Sequence, residues 1–187
     1  MSPSAEDCLF LLRLARSTIE SVLEGEELPD LELGELPDDL RQPGASFITL
    51  TIRGALRGCI GSIEPRRPLA RDVQENAIGA AFRDPRFPPL ARGELAQVRI
   101  ELSILTTPQP LTYDDPESLL AALRPNVDGV IIQRDWHRAT FLPQVWEKLP
   151  QPRDFMAQLC MKAGLPHNDY ENPGLDVQVY QVQKHEE

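Results

Sequence analysis

The sequence predicts an α+β fold, and three observations carry that prediction. Short runs rich in β-branched residues are separated by turns or short helical stretches, which favours antiparallel pairing over a parallel α/β sheet. Apolar residues recur with helical spacing near both ends of the chain. The 187 residues, 41% hydrophobic and 26% charged, suffice for one compact unit or for two small subdomains sharing a core.

The elements follow in order. Ser4 and Asp7 form a capping-box pattern, and Leu9, Leu12, Ala15, Ile19 and Val22 continue with helical spacing, so residues 5–23 read as an amphipathic helix. Residues 24–44 are acidic and interrupted by Pro29, Pro37, Pro43 and Gly44, the pattern of a surface connection. Phe47 to Ile52 is a strand, Arg53-Gly54 a turn, and Ala55 to Ile63 the hairpin partner. Pro68 and Leu69 open a second helix running to about Phe82. Asp84-Pro85-Arg86-Phe87-Pro88-Pro89 then forms a stiff connector, because its prolines exclude a helix interior. Gln97 to Thr106 alternates, with Val98, Ile100, Leu102 and Ile104 facing one way and Arg99, Glu101 and Ser103 the other.

Asp115-Pro116 supplies the N-cap and first residue of a short helix through Leu123. Residues 129–133 and 139–142 form a hairpin around Arg134-Asp135-Trp136, with Trp136, Phe141 and Trp146 expected in a core or cleft wall. A last helix over 152–163 stops at Gly164, with Pro166 just beyond. Val177, Val179 and Gln181 close the chain as a strand.

Charge and cysteine usage narrow the function classes. Cys8, Cys59 and Cys160 are odd in number, far apart and in no CxxC pair, so the expectation is a reducing compartment without disulfides. The first residues are acidic and polar, unlike a signal peptide, and no apolar run approaches a membrane span, so a cytoplasmic protein is expected. Of the net charge of −10, residues 24–39 supply −8 with no base among them. Between Arg53 and Arg99, nine arginines face five acids. The overall acidity argues against a general nucleic-acid binder, while the arginine-rich middle suits a small anionic ligand. His137, His167 and His185 have no ligand spacing, so neither zinc nor another cofactor is expected.

Chemistry concentrates in Leu56-Arg57-Gly58-Cys59-Ile60-Gly61. On a strand, Arg57 and Cys59 would share a face, and a guanidinium beside a thiol favours thiolate. Glycines weaken a strand unless something approaches its backbone closely, either a ligand or another segment of the chain. Packing explains these residues as well: free cysteine is usually a small buried hydrophobe, and strand glycines often mark a bulge. Asp84 and Arg86 offer a carboxylate and a guanidinium on a rigid turn, where a local salt bridge is the plainer reading. Glu101, on a central strand, is a candidate partner of Arg57 or a proton-moving group.

These blocks resemble the AMMECR-type domain family, also called AmmeMemoRadiSam system protein A. The resemblance runs through Leu56–Gly61, Asp84-Pro85-Arg86-Phe87, Glu101-Leu102-Ser103-Ile104-Leu105, Gly129-Val130-Ile131-Ile132, Thr140 to Trp146, and Cys160 with Lys162 to Pro166. It implies two subdomains of mainly antiparallel sheet with flanking helices, the larger built from both chain ends. It also implies a cleft lined by Arg57 to Gly61, and companions that are a Memo-like protein and a radical S-adenosylmethionine enzyme. This chain lacks the clustered cysteines of an iron–sulfur site, so radical chemistry would belong to the companion. Two functions follow as expectations. One is a binding component with Arg57, Gly58, Gly61, Asp84 and Arg86 as ligand-binding residues. The other is a thiol enzyme with Cys59 as nucleophile and Glu101 or Asp84 moving protons.

Overall fold

A computed structural model describes residues 3–187, which form two compact units. The first comprises the chain through Leu105 together with Gln183–Glu187. Helix α1 (Ala5–Glu24) opens it behind the Ser4–Asp7 capping box. The acidic stretch that follows is more than a connection: it contains the short helix α2 (Asp38–Arg41), and Leu31 and Leu40 are buried in the core. These two leucines anchor the segment while its carboxylates remain in water.

Strand β1 (Pro43–Ile52) turns at Arg53 (φ 53°) and Gly54 (φ 80°) into β2 (Ala55–Gly61). Two successive positive φ values make the tight turn whose twist matches an antiparallel pair. Strand β2 stops at Gly61, short of the expected Ile63. After β3 (Arg67–Pro68), helix α3 (Leu69–Ile78) continues as a π-helical turn, Gly79–Arg83, and then comes β4 (Val98–Leu105). Ile48 and Leu50 of β1 and Ile100 and Leu102 of β4 join Val73 and Ala77 of α3 and Leu11, Ala15 and Ile19 of α1 in one core. Alternation therefore leaves Thr49 and Glu101 on the opposite face of the sheet.

The second unit, Thr106–Val182, contains β5 (Gln109–Pro110), α4 (Pro116–Ala122), β6 (Gly129–Arg134), β7 (His137–Phe141), α5 (Pro152–Lys162) and β8 (Asp176–Tyr180). Its sheet order is β5-β8-β6-β7, antiparallel throughout. Trp146 is fully buried, stacks on Phe155 at 3.7 Å between ring centroids, and donates its indole N–H to Asp128 O (2.7 Å). Trp136 does not join this core. It is 85% exposed in the two-residue turn Asp135-Trp136, beyond the last rung Arg134↔His137, where no neighbouring strand can cover it.

Beyond the expected closing strand lies another, β9 (Val182–Glu186), which completes the first unit's sheet in the order β2-β1-β4-β9. Among the described residues, no helix is long and apolar enough to cross a membrane.

Candidate functional site

Strand β2 is an edge strand, and its pairing with β1 is broken by a bulge: Thr51 opposes Leu56 while Leu50 opposes Gly58. Arg57 is the additional residue, so the simple alternation that would set it beside Cys59 fails there. Its guanidinium is instead spent on Glu94, with Nε–Oε1 at 2.7 Å and Nη2–Oε2 at 2.9 Å. Glu94 also accepts the N–H of Ala91 (2.9 Å). The hydrogen bond from Arg57, aided by that N–H, lowers the Glu94 carboxyl to about 2, and the same bond raises Arg57. Glu101, the partner expected for Arg57, lies opposite Thr49 on β4 and faces Lys184 (3.5 Å) and the Ser103 hydroxyl (3.4 Å).

Cys59 is fixed through its backbone. Its N–H donates to Asp84 Oδ2 (2.9 Å), and its carbonyl accepts from Arg86 Nη2 (3.2 Å). Both groups point away from β1, so Thr49 and Cys59 form a non-hydrogen-bonded pair, the kind that brings side chains closest. The Thr49 hydroxyl accordingly donates to the Cys59 sulfur at 3.2 Å. Cys59 is half-buried, whereas Cys8 and Cys160 are fully packed, with burial pushing both of those thiols up.

The Asp84–Arg86 turn is the expected salt bridge and also takes the place of a neighbouring strand. Arg86 Nε and Nη2 donate to Oδ1 (2.9 Å) and Oδ2 (2.7 Å) of Asp84, whose Oδ1 also accepts the Arg86 N–H (3.1 Å). The Arg86 guanidinium, together with the N–H groups of Cys59 and Arg86, outweighs burial and holds the Asp84 carboxyl well below the usual carboxylate range. Asp84 is buried, while the Arg86 side chain is 53% exposed, with no hydrogen bond from Nη1 to the described residues. Arg57 and Arg86 both lie over the Phe87 ring, at 5.9 and 5.6 Å from its centroid.

The glycines make room for the protein's own atoms. A Cβ at Gly58 would stand 2.0 Å from the carbonyl oxygen of Ala80 in the π-helical turn, and one at Gly61 would stand 2.2 Å from the Phe47 ring. Of the two approaches open to a glycine-rich strand, close contact with another chain segment is the one present. The sequence reading missed Glu94 and Thr49. Glu94 lies 37 positions from Arg57 in a short 3₁₀ stretch, and Thr49 was visible only as one rung of a strand. Among the described residues no cluster of His, Cys, Asp or Glu could hold a metal ion.

This arrangement defines an α+β protein whose central motif is an edge strand clamped by a prolyl turn. Residues 12–185 match the AMMECR1 family model, and the chain belongs to that family. A protein of Methanothermobacter thermautotrophicus is 41% identical, with 96% of this chain and 94% of that protein covered. Protein MJ0810 of Methanocaldococcus jannaschii is 34% identical, with 97% and 90% covered. The crystal structure of the uncharacterized protein PH0010 from Pyrococcus horikoshii superposes with a TM-score of 0.75 at 32% identity, covering 95% of this chain and 90% of that one.

Proposed function

We propose that this chain is a ligand- or partner-binding component that works with a Memo-like protein and a radical S-adenosylmethionine enzyme, through the surface carrying Arg57-Gly58-Cys59-Ile60-Gly61. The observation that carries this reading is how the charged groups near Cys59 are used. Arg57 is closed on Glu94, and Asp84 accepts from Arg86 and from the Cys59 N–H. A carboxylate held far below neutrality is a poor general base, so these acids shape a surface better than they move protons. The groups left for a partner are the unspent edge of Arg86 and the Cys59 thiol, the latter held by the Thr49 hydroxyl. Together they suit a carboxylate or another small anion.

A second reading, a thiol-dependent enzyme with Cys59 as nucleophile, is supported by the Thr49 hydroxyl at 3.2 Å from the sulfur. Glu101 would then be the group to move protons, since Asp84 is engaged by Arg86 and the Cys59 N–H.

Co-purification with the two companion proteins tests both readings. Arg86→Ala is expected to reduce capture at least tenfold, and Cys59→Ser to leave it within about twofold. Capture indifferent to Arg86→Ala in a folded variant overturns the binding reading. Loss of a companion-dependent activity in Cys59→Ser, with capture intact, establishes the thiol enzyme instead.

A further inference from the structure

Asp72, a buried acid of the first unit, is not used by the Cys59 clamp. It lies in the first turn of α3 and is fully buried. Its Oδ2 accepts from the Ser46 N–H (2.9 Å), the Ser46 hydroxyl (2.8 Å), Asn76 Nδ2 (2.9 Å) and the Ser62 hydroxyl (2.6 Å). Its Oδ1 lies 2.7 Å from the same Ser62 hydroxyl and 3.4 Å from Arg67 Nε. The ring of contacts closes on itself, because Ser62 N–H (2.9 Å) and Asn76 Nδ2 (3.0 Å) both donate to Ser46 O.

A carboxylate withdrawn from water is expensive, and its cationic partner, Arg67, is 46% exposed and at long range. Removing the acid alone would strip the Ser46 N–H and the Ser46 and Ser62 hydroxyls of their acceptor, so Asp72 and its donors form a network that is kept or lost as a whole. What Asp72 does achieve is geometric. It ties β1 at Ser46 to the first residue after β2, Ser62, and to Arg67 at the far end of the loop that follows. Ser46 and Ser62 lie one step beyond the rung Phe47↔Gly61, at the end of the motif strand.

Asp72 and Asp84 belong to one helical run, α3 with its π-helical continuation and the residue after it. Between them, Ala80 O rests against Gly58, and a Cβ at Gly79 would stand 2.7 Å from Ile60. The run thus grips β2 at two points, with Asp84 at Cys59 and Asp72 at Ser62, roughly 10 Å apart along the strand.

We propose that Asp72 is a positioning residue for the Cys59 strand: it locks the strand's far end so that the thiol and the Arg86 edge are presented in one fixed arrangement. This rests on the reading of that strand as the working part of the protein.

The test is the iodoacetamide alkylation rate of each cysteine in the full chain, read by peptide mass spectrometry. Asp72→Asn and Ser62→Ala are compared with Ser62→Thr, which keeps the hydroxyl. Asp72→Asn and Ser62→Ala are expected to raise the Cys59 rate several-fold relative to Cys8 and Cys160, and Ser62→Thr to restore it. A purely structural role would instead raise all three cysteines together, and that result overturns the proposal. So does a Cys59 rate within about twofold of the parent in folded Ser62→Ala, which decides the matter if Asp72→Asn does not fold. Companion capture is scored separately, so failure of the binding reading with an altered Cys59 ratio leaves the positioning role standing.

Discussion

At Gly58 an added methyl carbon would sit 2.0 Å from the Ala80 carbonyl oxygen, a backbone atom that cannot step aside without moving the π-helical turn. Gly58→Ala is therefore expected to cost about 1–3 kcal/mol, the usual range for overpacking a tight contact. Chemical denaturation measures this directly, and a stability unchanged within error would contradict the packing seen there. The neighbouring residues show what a sequence can and cannot convey at this scale. The glycines announced that something lies close to the backbone, and a carbonyl does. The destination of Arg57 was not legible. A bulge shifts its side chain off the simple alternation, and its partner Glu94 comes from a stretch with no periodic signal. The Trp136 expectation failed for a local reason as well. An aromatic residue at a hairpin tip has no rung beyond it to pack against.

Among the elements, β2 carries the most consequence. An edge strand exposes unpaired N–H and C=O groups that can template pairing with another chain. Here Asp84 and Arg86 satisfy the outward groups of Cys59. Asp84→Ala would leave a backbone N–H without its acceptor and Arg86 without its carboxylate. The expected outcome is a loss of about 2–4 kcal/mol and a gain in self-association, read by denaturation and by light scattering at increasing concentration. A destabilised variant that stays monodisperse would show that another feature protects this edge. The long amphipathic helix, the alternating strand β4 and the capped ends of α4 and α5 were all legible, because periodicity and capping are local. The π-helical turn was not, since its apolar residues continue the pattern of α3 without a break. Strand β9 was also hidden: Gln183, Lys184, His185 and Glu186 carry no apolar alternation and pair only because β4 offers them an open side.

For the molecule as a whole, depressed carboxylates set a pH response, with Glu94 and Asp84 lowered furthest. Both are depressed in the folded state, so each stabilises the fold at pH values above the ordinary carboxylate range of about 4–4.5. That contribution shrinks as pH falls, through about 2 for Glu94 and lower still for Asp84. The urea midpoint is thus expected to hold steady from pH 7 to about 5 and to decline steadily below 4. In Glu94→Gln the decline should be shallower, and an identical slope would show that Glu94 is not titrating as described. Family membership was readable in advance because it rests on blocks spread through most of the chain, whereas the wiring between distant residues depends on coordinates.

The placement of β9 has a temporal consequence. The first unit's sheet needs a strand that lies after the whole of the second unit in the sequence. On the ribosome, β4 is therefore made early and waits with one side unpaired while Thr106–Val182 are synthesised. The nascent chain is most open to misassociation in that interval, and the first unit can close only once β9 has been made.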